Sequence, residues 1–105
     1  ELIGIDGLDA QNVHAHLLGL TAASDRDQVY TLHAELEGMK LMPVFERLLQ
    51  GWQAQGHQLV TLGDLAAAVD RSTLPRHRLR QGEGAGRSGL LAVQGASWTP
   101  GGAAA

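Results

Sequence analysis

The sequence has no cysteine, which excludes a disulfide framework, a thiolate zinc site and a cysteine nucleophile. It also lacks a long apolar run. The longest, Leu65 to Val69, falls far short of the ~20 residues that a membrane-spanning helix needs. No basic segment followed by an apolar one opens the chain, and it begins at Glu1 without methionine, so a cut or truncated start is expected. Charge is sparse, at 18% against 44% hydrophobic residues, unlike a disordered composition. At 105 residues, the chain is one domain's worth of sequence with a small core.

The few charges are unevenly placed. Residues 1–70 hold three of the eight Lys/Arg and ten of the eleven Asp/Glu, a balance of −7, whereas residues 71–105 stand at +4. The basic share is five arginines, Arg71, Arg76, Arg78, Arg80 and Arg87, with Glu83 the only acid among them. This asymmetry points to an anionic partner for the segment, or to a solvated loop.

Periodicity predicts a helix over about 9–22, capped by Asp9 and carrying Val13, Leu17 and Leu20 on one stripe. Gln28 to Glu35 is rich in β-formers and reads as a central strand covered on both faces. Pro43 then opens a second helix whose stripe is Val44, Phe45, Leu48, Leu49 and Trp52, with Gly56 as its stop. That stripe is core by its spacing. Leu59 to Leu62 reads as another buried strand, Asp64 to Arg71 as a short helix closed by Pro75, and 82–95 as a Gly-rich turn with a short strand. Residues 96–105 are expected to form a flexible Pro/Gly/Ala tail.

This order is the grammar of βαβ units. Two strands do not complete a parallel sheet, so residues 1–95 read as the closing portion of a larger α/β domain.

Among candidate functional residues, His33 stands out because it ends the best strand, the edge where ligands of α/β sheets gather. While the chain stays extended, His33, Glu35 and Glu37 share one face, a candidate proton-transfer or metal group. Position alone nevertheless favours a structural role for His33. His14 and His16 diverge on a helix and do not chelate together, and His57 and His77 read as solvated turn residues. Gly82, Gly84 and Gly86 imitate a phosphate loop, but no strand leads into a helix there.

Three strings, VYTLHAELEG (Val29 to Gly38), GHQLVTLGDL (Gly56 to Leu65) and AGRSGLL (Ala85 to Leu91), change the weighting. In this order and spacing the chain resembles, from about Glu1 to Gln94, the C-terminal third of the polysaccharide-deacetylase-like (NodB-homology) family. Within it the likeness is greatest to the branch that deformylates 4-deoxy-4-formamido-L-arabinose-phosphoundecaprenol in lipid A modification. The H-A-E-x-E-G string is the more specific part, and the Gly/Arg segment is supportive.

The resemblance implies an α/β fold, the closing βαβα part of a distorted (β/α)7 barrel that is incomplete in this chain. It implies hydrolysis of a sugar amide with a divalent metal. His33 falls on the position of the family's last motif, a strand-end His that protonates the departing amine, a step for which imidazole is suited because it titrates near neutral pH. Thr31 and Arg87 fall on substrate-binding positions. Thr31 stands where many family members have an aliphatic residue and Ala34 where many have Asp, departures that fit the deformylase branch better than the chitin or peptidoglycan deacetylases. The chain has neither the Asp-Asp nor the H-x-x-x-H string, so the family's base and metal ligands have no positions in it. Catalysis by this chain alone is therefore not expected, and pairing with the missing part of the barrel, or self-association, is.

The implied partners are a lipid-linked amino sugar and an anionic membrane surface, with no nucleic acid, and the implied place is the inner-membrane periphery of a Gram-negative bacterium. The rival reading is a small non-catalytic α/β module that docks an anionic partner through residues 71–87.

Overall fold

The computed structural model describes residues 2–84 and 86–101. Its elements are α1 (Val13–Ala22), a π-helical turn (Leu36–Lys40), α2 (Met42–Ala54), α3 (Leu62–Ala68), a 3-10 turn (Arg71–Thr73), β1 (His77–Gly82) and β2 (Leu91–Ser97). The chain is mixed α/β, with helices and, among the described residues, one two-stranded antiparallel sheet. It divides into two compact units, one of residues 2–67 and one from Ala68 onward.

In the first unit, the N-cap of α1 is Asn12 and not the expected Asp9, which caps the turn before the helix instead. Its carboxylate accepts from the backbone N–H groups of Gln11 (2.7 Å) and Asn12 (3.1 Å), and regular α-helix begins only at Val13. Pro43 lies in the first turn of α2, where its missing N–H is harmless. Gly56 ends α2 in the expected way. With φ at 86° it takes the left-handed conformation, so that Gly56 N–H reaches the Gln53 carbonyl and His57 N–H the Trp52 carbonyl, each at 3.0 Å.

The core is small and lies between α1 and α2. Val13, Val44, Leu48 and Trp52 are buried, with Leu17, Leu18, Tyr30 and Leu49 packed against them. Leu18 of α1 sits so close over Gly51 of α2 that a β-carbon there would fall 2.5 Å from both of its methyls. The missing side chain therefore sets how closely the two helices approach. The indole N–H of Trp52 donates to Thr21 Oγ1 at 3.2 Å, which gives this buried ring a polar partner on α1.

Two expected strands do not form among the described residues. Residues 28–33 join no ladder among the described residues, and the side chain of Tyr30 packs instead onto Phe45 and Trp52. A strand exists only by pairing, and β-forming composition supplies no neighbour. Leu59 to Leu62 is likewise unpaired, because Thr61 starts α3: its hydroxyl accepts from Asp64 N–H at 3.1 Å. Helix α3 thus spans Leu62–Ala68 rather than 64–71. The parallel βαβ order is therefore not formed by the described residues.

In the second unit, β1 and β2 pair antiparallel, with Leu79 opposite Gln94, Arg80 opposite Val93 and an irregularity between His77 and Leu79. The arginine segment, read as a loop, is thus partly strand. His77, read as a solvated turn residue, opens β1 with Nδ1 3.0 Å from the Gly95 carbonyl. Residues 96–98 of the expected tail are also engaged: β2 runs through Ser97, and Trp98 N–H donates to the Arg76 carbonyl at 2.8 Å. Residues 102–105 lie outside the described residues.

Candidate functional site

His33 lies in the first unit, where the irregular segment meets the π-helical turn. The chain does not stay extended beyond it, so the co-facial row of His33, Glu35 and Glu37 does not form. Residues 34 and 35 turn, and both Leu36 N–H and Glu37 N–H donate to the His33 carbonyl at 2.9 Å. Glu35 is exposed, whereas Glu37 is buried, the only buried charged residue among those described.

The Glu37 carboxylate explains its own burial. Oε2 accepts from the His33 backbone N–H at 2.8 Å, and Oε1 accepts from the Tyr30 hydroxyl at 3.1 Å. With the return bond from Glu37 N–H to the His33 carbonyl, this is a reciprocal clamp of the capping-box kind, one residue wider than usual. A buried carboxylate with donors on both oxygens meets the requirement that buried charge be hydrogen-bonded.

Electrostatics follow from these contacts. Burial raises the Glu37 pKa, but the backbone N–H groups of His33 and Glu37, the Tyr30 hydroxyl and the charge of His33 outweigh it, and the carboxyl is held below the ordinary glutamate value. Tyr30 moves the other way. Burial, the adjacent Glu37 charge and the hydrogen bond to it push the phenol up to about 12. Its ring is stacked on Phe45, with centroids 6.4 Å apart, and meets Trp52 edge-on at 5.3 Å. The clamp is thereby tied to the α2 stripe.

The His33 side chain is exposed while its backbone is bonded at both N–H and carbonyl. An accessible imidazole on a fixed backbone is able to exchange a proton with a bound molecule. Thr31, two residues earlier, is exposed as well. Arg87 belongs to the second unit, in a turn where its N–H donates to the Gly84 carbonyl at 3.1 Å. Among the described residues, no three His, Asp or Glu side chains are grouped so as to hold a metal ion.

The roles of Tyr30 and Glu37 in the clamp escape a reading by strand alternation. Helical spacing finds Glu37, which is four residues from His33, but not Tyr30, which lies in the irregular segment seven residues before the Glu37 that it bonds. No family model matches the chain, and no solved structure matches it.

Proposed function

We propose that this chain is the C-terminal part of a metal-dependent carbohydrate amide hydrolase, removing a formyl or acetyl group from an amino sugar, with His33 as the acid. The substrate in this reading is undecaprenyl-phosphate-linked 4-formamido-arabinose, met at the periphery of the inner membrane. The observation that carries it is the exposed imidazole of His33, in the H-A-E-x-E-G string, on a backbone clamped by Glu37. The imidazolium donates its proton to the departing nitrogen as the C–N bond breaks, and the electron pair of that bond stays on nitrogen. Thr31, exposed two residues before His33, contacts the substrate in this reading. Among the described residues no three His, Asp or Glu side chains group to hold a metal ion, and in this reading the divalent metal is assigned to a part of the barrel that carries the Asp-Asp and H-x-x-x-H strings.

The test is steady-state kinetics on a formamido-sugar, using a protein that joins this chain to those strings. His33→Ala lowers kcat by roughly 10²–10⁴-fold with KM little changed, because a leaving-group acid acts only in the transition state. An unchanged kcat overturns the assignment.

One observation favours a second reading, a binding module for an anionic partner. Arg71, Arg76, Arg78 and Arg80 are exposed, and among the described residues none of them is paired with a carboxylate. Kinetics on the joined protein separates the two readings.

A further inference from the structure

Strand β1 carries two kinds of exposed side chain at once. Arg78 and Arg80 lie in it, and Arg76 directly precedes it, without carboxylate partners among the described residues. Leu79, between the two strand arginines, is 79% exposed, and Leu90, directly before the return strand, is 64% exposed. Leu79 and Leu90 line one shallow groove with Gln81 and Ala92. The Arg80 stem runs over Gly95, whose β-carbon would meet Arg80 Cγ and Cδ at 3.5 Å. Adjacent residues of a strand face opposite ways, so Leu79 and Arg80 flank the β1 edge from its two sides. Among the described residues that edge carries no further strand.

We propose that the β1 edge is a docking surface for an anionic lipid bilayer. Guanidinium groups of Arg76, Arg78 and Arg80 take lipid phosphates, and Leu79 with Leu90 enters the boundary between headgroups and acyl chains. Arginine stems are long enough to lie along apolar surface while the charge stays among phosphates. The outward backbone groups of β1 remain in the hydrated headgroup layer, where they keep hydrogen-bond partners.

A bilayer accounts for both features. A soluble polyanion would use the arginines and leave two leucines in water, and a second copy would bring the same three arginines, Arg76, Arg78 and Arg80, to the same edge. The proposal deepens the second reading above and rests on it, and no helix of the described residues is long and apolar enough to cross a membrane.

Co-sedimentation of the 105-residue chain with vesicles decides the matter, using phosphatidylcholine alone against phosphatidylcholine mixed with phosphatidylglycerol. Binding is expected to the anionic vesicles only, and to fade at high salt. Arg78→Gln and Arg80→Gln each lower it about fivefold. Leu79→Gln lowers it about tenfold, from the loss of roughly half a leucine's burial, with an unchanged circular dichroism spectrum. Equal binding to both vesicle types overturns the proposal, as does full binding by Leu79→Gln. Binding to soluble polyphosphate but not to anionic vesicles also overturns it while sparing the second reading, and binding to neither removes both. Self-association by light scattering without vesicle binding assigns the edge to a second copy instead.

Discussion

The two compact units are held together by different physics. Residues 2–67 contain every buried side chain among those described, namely Val13, Glu37, Val44, Leu48 and Trp52. From Ala68 onward none of the described residues is buried, and within the sheet Gly82, Leu91, Val93 and Gly95 are only half so. The first unit is thus fixed by a few side chains in mutual contact. The second is fixed by ladder hydrogen bonds, with most side chains left in solvent, and an isolated two-stranded hairpin is marginal in water. Where burial is concentrated, each core residue should be costly to change. Where it is absent, side chains are available for a surface outside the unit.

The sharpest way to break this contrast is to truncate the centre of the core. Leu48 is 0% exposed and lies between Val44 and Trp52 on the buried stripe of α2. Leu48→Ala removes its buried methyls and leaves a cavity, at a cost of about 2–5 kcal/mol. Urea denaturation followed by far-ultraviolet circular dichroism measures it. A loss below about 1 kcal/mol would mean that the helices are not held by this cluster.

The same contrast explains what was legible in the sequence. Helix α2 was readable nearly to the residue, because its stripe, its first-turn proline and its terminal Gly56 are local signals that agree with one another. Residues 28–33 misled because β-propensity reports fitness for a sheet and cannot name a partner strand. The arginines concealed β1 for the opposite reason. Charge on an exposed hairpin leaves no alternation of apolar residues to detect, and the pairing of His77–Gly82 with Leu91–Ser97 depends on the turn between them. His33 was legible as a position, but its clamp was not. Glu37 reads as a surface acid until the chain is known to turn at residue 34, after which its spacing from His33 becomes that of helical neighbours.

The clamp gives the next prediction, smaller than the first. Glu37→Ala leaves the Tyr30 hydroxyl and the His33 N–H without their acceptor, at about 1 kcal/mol each. The same urea titration reads that loss, and Glu37→Gln, which still accepts one bond, should recover part of it. The sign of the pH dependence follows from the direction of the Glu37 shift. Its folded pKa is depressed, so its contribution is fully present above the unfolded glutamate value and is lost as pH falls through the lower folded one. Thermal melts between neutral pH and about pH 3 should show this loss in the native protein and not in Glu37→Ala.

Tyr30 supplies a cleaner readout, because it is the chain's only tyrosine and the whole phenolate absorbance belongs to it. Its midpoint should stand at about 12 in the folded protein. Since the folded value is raised, the stabilisation is complete below the unfolded value of roughly 10 and is lost as pH rises toward the folded one. Glu37→Gln should bring the midpoint part of the way down, with burial keeping the remainder. A midpoint near 10 in the native protein would place Tyr30 in solvent, and the clamp would lose its tie to the core.

The smallest expected effect is the most informative about the second unit. Leu79 is the same residue type as Leu48, but it is 79% exposed and touches the fold mainly through its backbone, paired with Gln94. Its side chain has little burial to lose, so Leu79→Ala should change stability by no more than about 0.5 kcal/mol. Amide hydrogen exchange across Leu79 to Gly82 measures this locally, because those ladder bonds report the opening of the hairpin and not of the helices. A loss above about 1 kcal/mol would mean that Leu79 is covered in the free chain. The hairpin would then have a core of its own, and its apolar face would not be available to a membrane.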